Sequence, residues 1–204
     1  DLIAADFARV GGEALIMHLG DLVDRGPDSR GVIERVMAIE KAPPAGTKVA
    51  SVLGNHELMM LEAIAGVREV DVVNWLAQGG EQTLKSYERV HGECNPWTDV
   101  FDGAHRHWLA LLPTMVRDDD YVFVHGGIDP ARFPSCPDEV RLWTRSKRFF
   151  DETQWPVRKE LKNILVVHGH TPTEDQKPDV QPRRINVDTG VCHGGPLTCA
   201  VLTP

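Results

Sequence analysis

The sequence predicts a single domain with an α/β or mixed α+β sandwich fold. Four short apolar runs have the length of buried strands, and segments with helical periodicity lie between them. The chain has 204 residues, which is enough for one substantial core and short for two typical domains. We therefore assign residues 1–204 to one domain.

Each of the four apolar runs leads directly into polar residues that can bind a metal ion or a phosphate group. The runs, each with the motif that follows it, are residues 15–19 with GDLVDRG at 20–26, 49–53 with GNHE at 54–57, 121–124 with HGG at 125–127, and 164–167 with HGH at 168–170. In sheets of this kind, ligands bind beyond the carboxyl ends of the strands, where several loops meet. We therefore expect Asp21, Asn55, His125 and His170 to lie close together in space.

The segments between the strands predict helices and hairpins. An apolar stripe with a period near 3.6 residues runs from Ser29 to Lys41. Residues 66–112 lack strand-like alternation, and we interpret them as a helical cap beside the sheet. Further helices are predicted at residues 1–9, 57–64, 81–90 and 105–112. Hairpins are predicted at residues 115–124, and at 184–187 paired with 197–202 around the turn at 194–196.

The composition is that of an acidic globular protein. The net charge of −8 disfavours broad binding of nucleic acid or anionic membranes through a basic surface. No apolar run reaches membrane-spanning length. The four cysteines are dispersed, which argues against a disulfide framework or a structural zinc site and favours reduced thiols. We therefore expect a cytoplasmic protein that binds neither nucleic acid nor membrane.

The four converging residues predict a site for a divalent transition metal. A carboxylate, an amide oxygen and two imidazoles suit manganese, iron or zinc and contain too much nitrogen for calcium. Asp21 can bridge two ions, and two-metal sites promote displacement at phosphorus. Of the two histidines at the end of the fourth run, His168 and His170, we favour His170 as the ligand because Gly169 precedes it and Thr171 follows.

The other residues of the first two motifs predict a general acid and a phosphate clamp. His56 is adjacent to the candidate ligand Asn55, and neighbouring side chains seldom bind the same ion, so His56 is available as an acid. Asp24 can hold the His56 ring in the useful tautomer. The planar guanidinium of Arg25 can bind phosphate oxygens. A surface turn with a weak salt bridge is the alternative interpretation of Asp24 and Arg25.

In this order, the four motifs resemble the signature of the calcineurin-like metallophosphoesterases, and more narrowly the bacterial and phage form of the PPP-type serine/threonine protein phosphatases. The seven-residue motif at 20–26 is highly specific, whereas the histidine motifs alone are weak signals. Residues 75–87, with Gly79-Gly80 and Thr83, and residues 188–190 also resemble bacterial members. The resemblance implies the metallo-dependent phosphatase fold, in which helices flank two facing mixed β-sheets.

The resemblance also implies two divalent metal ions, with manganese favoured over iron or zinc. Asp21 would bridge the two ions, and Asn55, His125 and His170 would complete the second site. Members of this family normally begin with a Gly-Asp-x-His-Gly motif whose Asp and His bind the first ion, but residues 1–19 contain no such motif. We expect the motif to lie upstream of Asp1 in the native gene, and we expect the chain without it to bind one ion poorly and to catalyse weakly.

For the reaction itself, the resemblance implies direct attack by a metal-bound hydroxide, without a phosphoenzyme intermediate. His56 would be the general acid, supported by Asp24. Arg25 and Asn55 would bind the substrate phosphate. Arg145, in a looser match, would be a second phosphate-binding arginine, although a solvated basic surface is an equally good interpretation of its neighbourhood.

These observations favour a phosphatase of phosphoserine and phosphothreonine in proteins, with phosphotyrosine as a further substrate. The expected partner is thus a phosphoprotein or phosphopeptide. A diadenosine tetraphosphate hydrolase of the same superfamily is the first alternative, because it shares most of the motifs. A degenerate phosphate-binding module without activity is the second alternative, and the missing upstream motif is its only support.

Overall fold

Two β-sheets form the framework of the chain, whose structure is a computed structural model that describes Ala5 and residues 12–202. The strands of these residues are β1 (Ala14–His18), β2 (Thr47–Ser51), β3 (Met115–Asp118), β4 (Tyr121–Val124), β5 (Leu165–His168), β6 (Asp179–Val180) and β7 (Arg184–Asn186). β1 and β2 form a parallel pair. The other five form a mixed sheet in the order β3-β4-β5-β7-β6, with β4, β5 and β7 parallel and both edge strands antiparallel.

Helices connect the strands and supply most of the remaining structure. The α-helices in the described residues are α1 (Ser29–Lys41), α2 (Asn55–Ala65), α3 (Glu69–Trp75), α4 (Glu81–His91), α5 (Gly103–Leu111), α6 (Asp138–Trp143) and α7 (Lys147–Phe150). α1 begins where the Asp28 side chain accepts a hydrogen bond from the Gly31 amide. α2 ends at Gly66, whose left-handed backbone allows its amide to bond back to the last turn.

The hydrophobic core of the described residues has two parts. Around the larger sheet, Val122, Val124 and Val166 pack with buried aromatic residues of the connection between β4 and β5. The second part contains Met60 of α2 and the helices that follow it, including Trp75. Burial of these apolar side chains is the main stabilising contribution to both parts.

The predicted α+β fold with two sheets and flanking helices is confirmed. The predicted helix at 29–41 matches α1, and the predicted strand at 121–124 matches β4. Between residues 66 and 112 the structure has helices and turns, as expected. A kinked segment, Leu76–Gly80, joins α3 to α4, and the backbone of Gly79 within it is not helical. The assignment of the chain to one domain stays a prediction, and the helix predicted at 1–9 lies outside the described residues apart from Ala5.

The predicted pairing of 184–187 with 197–202 is wrong. β7 pairs instead with β5 and with the short strand β6. Residues 197–202 form no strand, and Leu197 and Val201 are 87% and 69% exposed. The alternating apolar residues of this segment therefore do not bury one face, which is what stabilises a strand.

None of the helices in residues 12–202 has the length and apolarity that a membrane crossing requires.

Candidate active site

The carboxyl ends of β1 and β2 bring the first two motifs into direct contact. A Cβ atom added at Gly20 would lie 2.5 Å from the Gly54 amide nitrogen, and one added at Gly54 would lie 2.3 Å from the Asp21 amide nitrogen. Gly20 also has a positive φ of 85°. The two glycines are therefore required by the close approach of the loops, which places Asp21 beside the start of α2.

Three polar residues after β1 have left-handed backbone conformations, which L-residues with side chains adopt rarely. The φ angles are 56° at Asp21, 71° at Asp24 and 62° at Arg25. Each such residue costs free energy, and this conformation persists only where surrounding contacts impose it. Strain of this kind is typical of functional loops, and the contacts that impose it here come from α2 and from residues 75–83.

Glu57 of α2 is the first of these contacts. Its carboxylate is fully buried and accepts hydrogen bonds from the amides of Asp21, Leu22, Val23 and Gly54 at 2.6 to 3.1 Å. Burial and the nearby Asp21 charge raise the pKa of Glu57, whereas the amides of Asp21 and Gly54 lower it. This single side chain therefore fixes the loop after β1 to the loop after β2.

Replacing Glu57 with glutamine is expected to lower the free energy of unfolding by about 3 kcal/mol. The amide NH₂ of glutamine would face backbone N–H groups, so buried donors would lose their acceptor. Urea denaturation measures the change. The matched control is Glu62→Gln, because Glu62 is exposed on the same helix and its substitution should change stability by less than about 0.5 kcal/mol. Equal stability of the two variants would contradict this role.

Four predicted metal ligands meet at the ends of four strands, as expected. The Asn55 Oδ1 atom lies 2.8 Å from His125 Nε2 and 2.9 Å from His170 Nδ1. The Asp21 Oδ1 atom lies 3.3 Å from the same His125 Nε2 atom. Asn55, His125 and His170 are buried, whereas Asp21 is exposed to solvent. The cluster is therefore accessible to solvent at Asp21, and its other three residues are buried.

The chemistry of this donor set fits a cation. His125 Nδ1 lies 2.7 Å from the Leu19 carbonyl oxygen, so it donates its proton there and leaves the Nε2 lone pair facing two oxygen acceptors. Three acceptor atoms in mutual contact repel one another unless a positive charge lies among them. Among the described residues, no group of three or more His, Cys, Asp or Glu side chains is arranged to hold a metal ion; the cluster described here also includes the amide oxygen of Asn55.

His170 and His168 differ sharply in their surroundings, which supports the choice of His170. Burial lowers the pKa of His170 to about 4, and His125 and Arg145 add to this effect, so the ring is neutral at pH 7 and can act as a ligand. His168 is fully buried and its ring contacts the rings of Phe149 and Phe150. Burial lowers its pKa to about 3.

His56 and Asp24 form a buried pair beside the candidate metal ligands. His56 Nδ1 lies 2.6 Å from Asp24 Oδ2, and both side chains are at most 5% exposed. Burial lowers the pKa of His56, but the hydrogen bond to Asp24 and the charges of Asp21 and Asp24 outweigh it, so the pKa is raised. Because Nδ1 donates to Asp24, the Nε2 atom is left to face a substrate. The His56 amide is 3.4 Å from Asp21 Oδ1, which places the pair next to the ligands.

Comparison with known sequences identifies the family. A sequence model of the calcineurin-like phosphoesterases matches residues 3–194. The chain belongs to this family. Calcineurin-like phosphoesterases are hydrolases of phosphoester bonds that use two divalent metal ions, and the ligand cluster and the His56–Asp24 pair lie in the matched segment.

Several curated relatives of this phosphoesterase are described as bis(5'-nucleosyl)-tetraphosphatases, some symmetrical and some asymmetrical. The symmetrical bis(5'-nucleosyl)-tetraphosphatase of Bordetella pertussis is 33% identical over 233 aligned positions, which cover 88% of this chain and 78% of the relative. The symmetrical enzyme of Ralstonia nicotianae is 32% identical over 117 positions, and the match covers 57% of this chain and only 34% of that relative. The asymmetrical bis(5'-nucleosyl)-tetraphosphatase of Geobacillus thermodenitrificans is 28% identical and covers 88% of this chain and 72% of the relative.

Solved structures share the fold of this phosphoesterase. The cold-active protein-tyrosine phosphatase of a Shewanella species has a TM-score of 0.54 and 20% sequence identity, covering 90% of this chain and 62% of that one. A mutant of a cold-active protein-tyrosine phosphatase gives a TM-score of 0.58 at the same identity. At this identity the likeness shows the fold alone.

The two arginines predicted to bind phosphate reach this phosphoesterase's site from different segments. Arg25 is exposed, with its guanidinium 3.5 Å from Gln78 Oε1 and 3.6 Å from Cys192 Sγ. Arg145 is also exposed, and its Nε atom lies 3.4 Å from His170 Nε2. The looser of the two matches, Arg145, is therefore next to a candidate metal ligand. Their roles in binding phosphate stay predictions.

Three residues of this phosphoesterase's site were not assigned a role from the sequence. These are Glu57, which fastens the two loops, and Trp75 and Thr83, which both bond to Asp24. Glu57 lies in the GNHE motif at 54–57, and residues 75–87 resemble bacterial members of the family, so the sequence contains a signal at each position. The signal did not say what the side chain contacts.

Proposed function

We propose that this protein hydrolyses dinucleoside tetraphosphates with the help of divalent metal ions. The observation that carries the proposal is the buried His56–Asp24 pair, at 2.6 Å, beside the cluster of Asp21, Asn55, His125 and His170. This arrangement supports an acid next to a metal-held phosphate group. The curated relatives favour dinucleotides over the phosphoproteins that the sequence motifs alone favoured.

Each side chain of the site has a separate task in this proposal. Arg25 and Arg145 bind and orient the phosphate chain, because a guanidinium matches phosphate oxygens and stays charged. His56 donates its Nε2 proton to the oxygen that leaves the attacked phosphorus. Asp24 keeps the His56 ring oriented and stabilises its positive charge before the transfer.

The proposed metal ligands are Asp21, Asn55, His125 and His170, with manganese as the proposed metal and iron or zinc as alternatives. When bound, the ions supply charge that activates water and neutralises the phosphate oxygens. The borderline donor set of carboxylate, amide and imidazole suits these metals. Elemental analysis of the freshly purified full-length protein identifies the metal, and calcium or magnesium alone would contradict this assignment.

The proposal predicts a preference among three substrates assayed side by side with the full-length protein. We expect kcat/KM for diadenosine tetraphosphate to exceed that for a phosphoserine or phosphothreonine peptide by more than about 10-fold, a difference of about 1.4 kcal/mol in transition-state binding. Nitrophenyl phosphate serves as the reference substrate for the chemical step. Chromatography of the nucleotide products also shows which phosphate bond is cleaved.

Two outcomes would overturn the proposal in different ways. Preferential hydrolysis of the phosphopeptide would assign the site to a protein phosphatase, with the phosphoprotein as its partner. Hydrolysis of none of the three substrates by metal-loaded full-length protein would favour a phosphate-binding module without activity. The expectations that the protein binds neither nucleic acid nor membrane stay predictions.

A further inference from the structure

Residues 75–83 contribute two buried hydrogen-bond donors to the site. We propose that Trp75 and Thr83 are positioning residues, which hold the Asp24 carboxylate in one orientation and through it aim His56 at the leaving oxygen. This inference rests on the proposed role of His56 as an acid. Neither residue contacts the substrate in this proposal, and both act through Asp24.

The hydrogen bonds of Asp24 divide its two carboxylate oxygens between two tasks. Oδ2 accepts from His56 Nδ1 at 2.6 Å. Oδ1 accepts from Trp75 Nε1 at 3.0 Å and from Thr83 Oγ1 at 2.8 Å. Trp75 and Thr83 are fully buried, and Asp24 is 7% exposed. Two donors on Oδ1 fix the rotation of the carboxylate group, so Oδ2 has one direction in which to meet the imidazole.

The Thr83 hydroxyl uses its one donor hydrogen and both acceptor lone pairs in hydrogen bonds. It donates its single hydrogen to Asp24 Oδ1, and its lone pairs accept from the Asp24 amide at 2.7 Å and from the Ser29 hydroxyl at 2.9 Å. One hydroxyl therefore contacts both the backbone and the side chain of Asp24. This contact also helps to impose the left-handed backbone at Asp24, whose φ is 71°.

The kinked segment between the two donors, Leu76–Gly80, contacts Arg25, the residue that follows Asp24. The Arg25 amide donates to the Gly79 carbonyl oxygen at 3.1 Å. A Cβ atom at Gly79 would lie 2.6 Å from Arg25 Cγ, and Gly79 has a φ of 109°, so a glycine is required here. The segment thus holds the acid pair and the phosphate-binding arginine at a fixed separation.

The Trp75 ring is itself fixed in place. It stacks on Trp97 with 6.0 Å between the ring centroids and contacts the edge of Phe101 at 6.1 Å. A Cβ atom at Gly80 would lie 2.4 Å from the indole, which shows how closely the backbone packs against it. A rigid indole presents its N–H in one direction, which is what a positioning donor requires.

The alternative is that Trp75 and Thr83 only stabilise the core, and the reaction's dependence on the leaving group separates the two. Phenyl phosphate releases a basic phenoxide that needs the proton of His56, whereas nitrophenyl phosphate releases a weaker base that needs it little. A misdirected acid therefore slows phenyl phosphate hydrolysis selectively. A generally weakened fold slows both substrates alike.

The test uses Thr83→Val and Trp75→Phe in the full-length, metal-loaded protein. For each we expect kcat with phenyl phosphate to fall by about 10- to 100-fold, part of what a general acid contributes, and kcat with nitrophenyl phosphate to change by less than about 3-fold. KM and metal content should stay unchanged. Thr83→Ser, which retains the hydroxyl, should recover kcat with phenyl phosphate to within about 3-fold of the parent.

The matched control is Ser86→Ala on the same helix. Ser86 is buried, and its hydroxyl bonds to the Arg30 amide and the Thr83 carbonyl without contacting Asp24. The Ser86→Ala variant should be less stable than the parent, but its ratio of kcat with phenyl phosphate to kcat with nitrophenyl phosphate should equal that of the parent. Equal loss with both substrates in Thr83→Val, or a matching change in Ser86→Ala, would overturn the inference.

A second measurement separates this inference from the proposed function. The Nδ1 proton of His56, followed by NMR, should exchange with water at least about 10-fold faster in Thr83→Val than in the parent, because opening of the hydrogen bond to Asp24 becomes easier. Unchanged exchange would overturn the positioning role even in an active protein. If the parent hydrolyses neither diadenosine tetraphosphate nor nitrophenyl phosphate, the proposed function fails, and the exchange rate still decides how Asp24 is held.

Discussion

Replacing His56 with asparagine is expected to lower kcat with phenyl phosphate by about 100- to 10,000-fold and to leave the metal content of the protein nearly unchanged. The variant loses the proton donor, whereas Asn55 and the other three candidate ligands remain. Asparagine is smaller than histidine and retains a side-chain NH₂ that can still donate to Asp24 Oδ2, which in the parent lies 2.6 Å from the His56 ring. The Asp24 charge therefore keeps a partner, and the fold should persist.

Steady-state kinetics and elemental analysis on the same preparation check this result. His107→Asn is the matched control, because His107 is an exposed histidine on α5, and its kcat should equal that of the parent. Loss of metal in the His56 variant would show that His56 is a ligand and would refute its assignment as an acid. Unchanged kcat with phenyl phosphate would refute it as well.

The fold could be predicted where local sequence determines structure. The four apolar runs form strands that end at a glycine or a polar residue; β4 before His125 and β5 are mostly buried, whereas β1 and β2 are mainly half-buried. α1 was predictable from its stripe of buried residues and from the Asp28 cap. The strand predicted at 197–202 was wrong because alternating apolar residues form a strand only when other residues cover one of its faces. The residues that would cover that face lie elsewhere in the chain, so the local sequence does not reveal whether they are present.

The cluster of ligands could also be predicted, because parallel strands place their carboxyl ends at one edge. Asp21, Asn55, His125 and His170 were expected to meet from this rule alone. The supports of the cluster could not be predicted in the same way. Glu57 bonds to amides 34 to 36 residues earlier in the chain, and nothing in the periodicity of a helix indicates so distant a contact.

Substrate preference was the least predictable property. The roles proposed for Asp21, His56 and Arg25 concern a phosphate group, and phosphoproteins and dinucleotides both present one. The residues that distinguish a peptide from a nucleotide contact the rest of the substrate and need no fixed motif. Relatives that align over most of the chain therefore carry information that the motifs do not, and they favour the dinucleotide.

Replacing Asp21 with asparagine is expected to deplete bound metal and to lower kcat by more than about 100-fold in the same preparation. Loss of a residue that merely supports a ligand costs about 10- to 100-fold in metal affinity or activity, so loss of a direct carboxylate ligand should cost more. The substitution removes charge without disturbing the loop. Asparagine tolerates the left-handed backbone at this position, where φ is 56°. The hydrogen bond that the Asp21 backbone amide donates to Glu57, at 2.9 Å, does not involve the Asp21 side chain.

Because the loop should persist, loss of metal in the Asp21 variant reports on ligation rather than on unfolding. Asp119→Asn is the matched control, since Asp119 also has a positive φ, 49°, and is exposed in the turn between β3 and β4. Its metal content and kcat should equal those of the parent. Thermal unfolding with and without a chelator completes the comparison: the parent should lose stability on chelation, because a ligand that binds only the folded state stabilises it, whereas the Asp21 variant should respond far less. An Asp21 variant that keeps its metal, its kcat and its response to the chelator would show that Asp21 does not hold the ions.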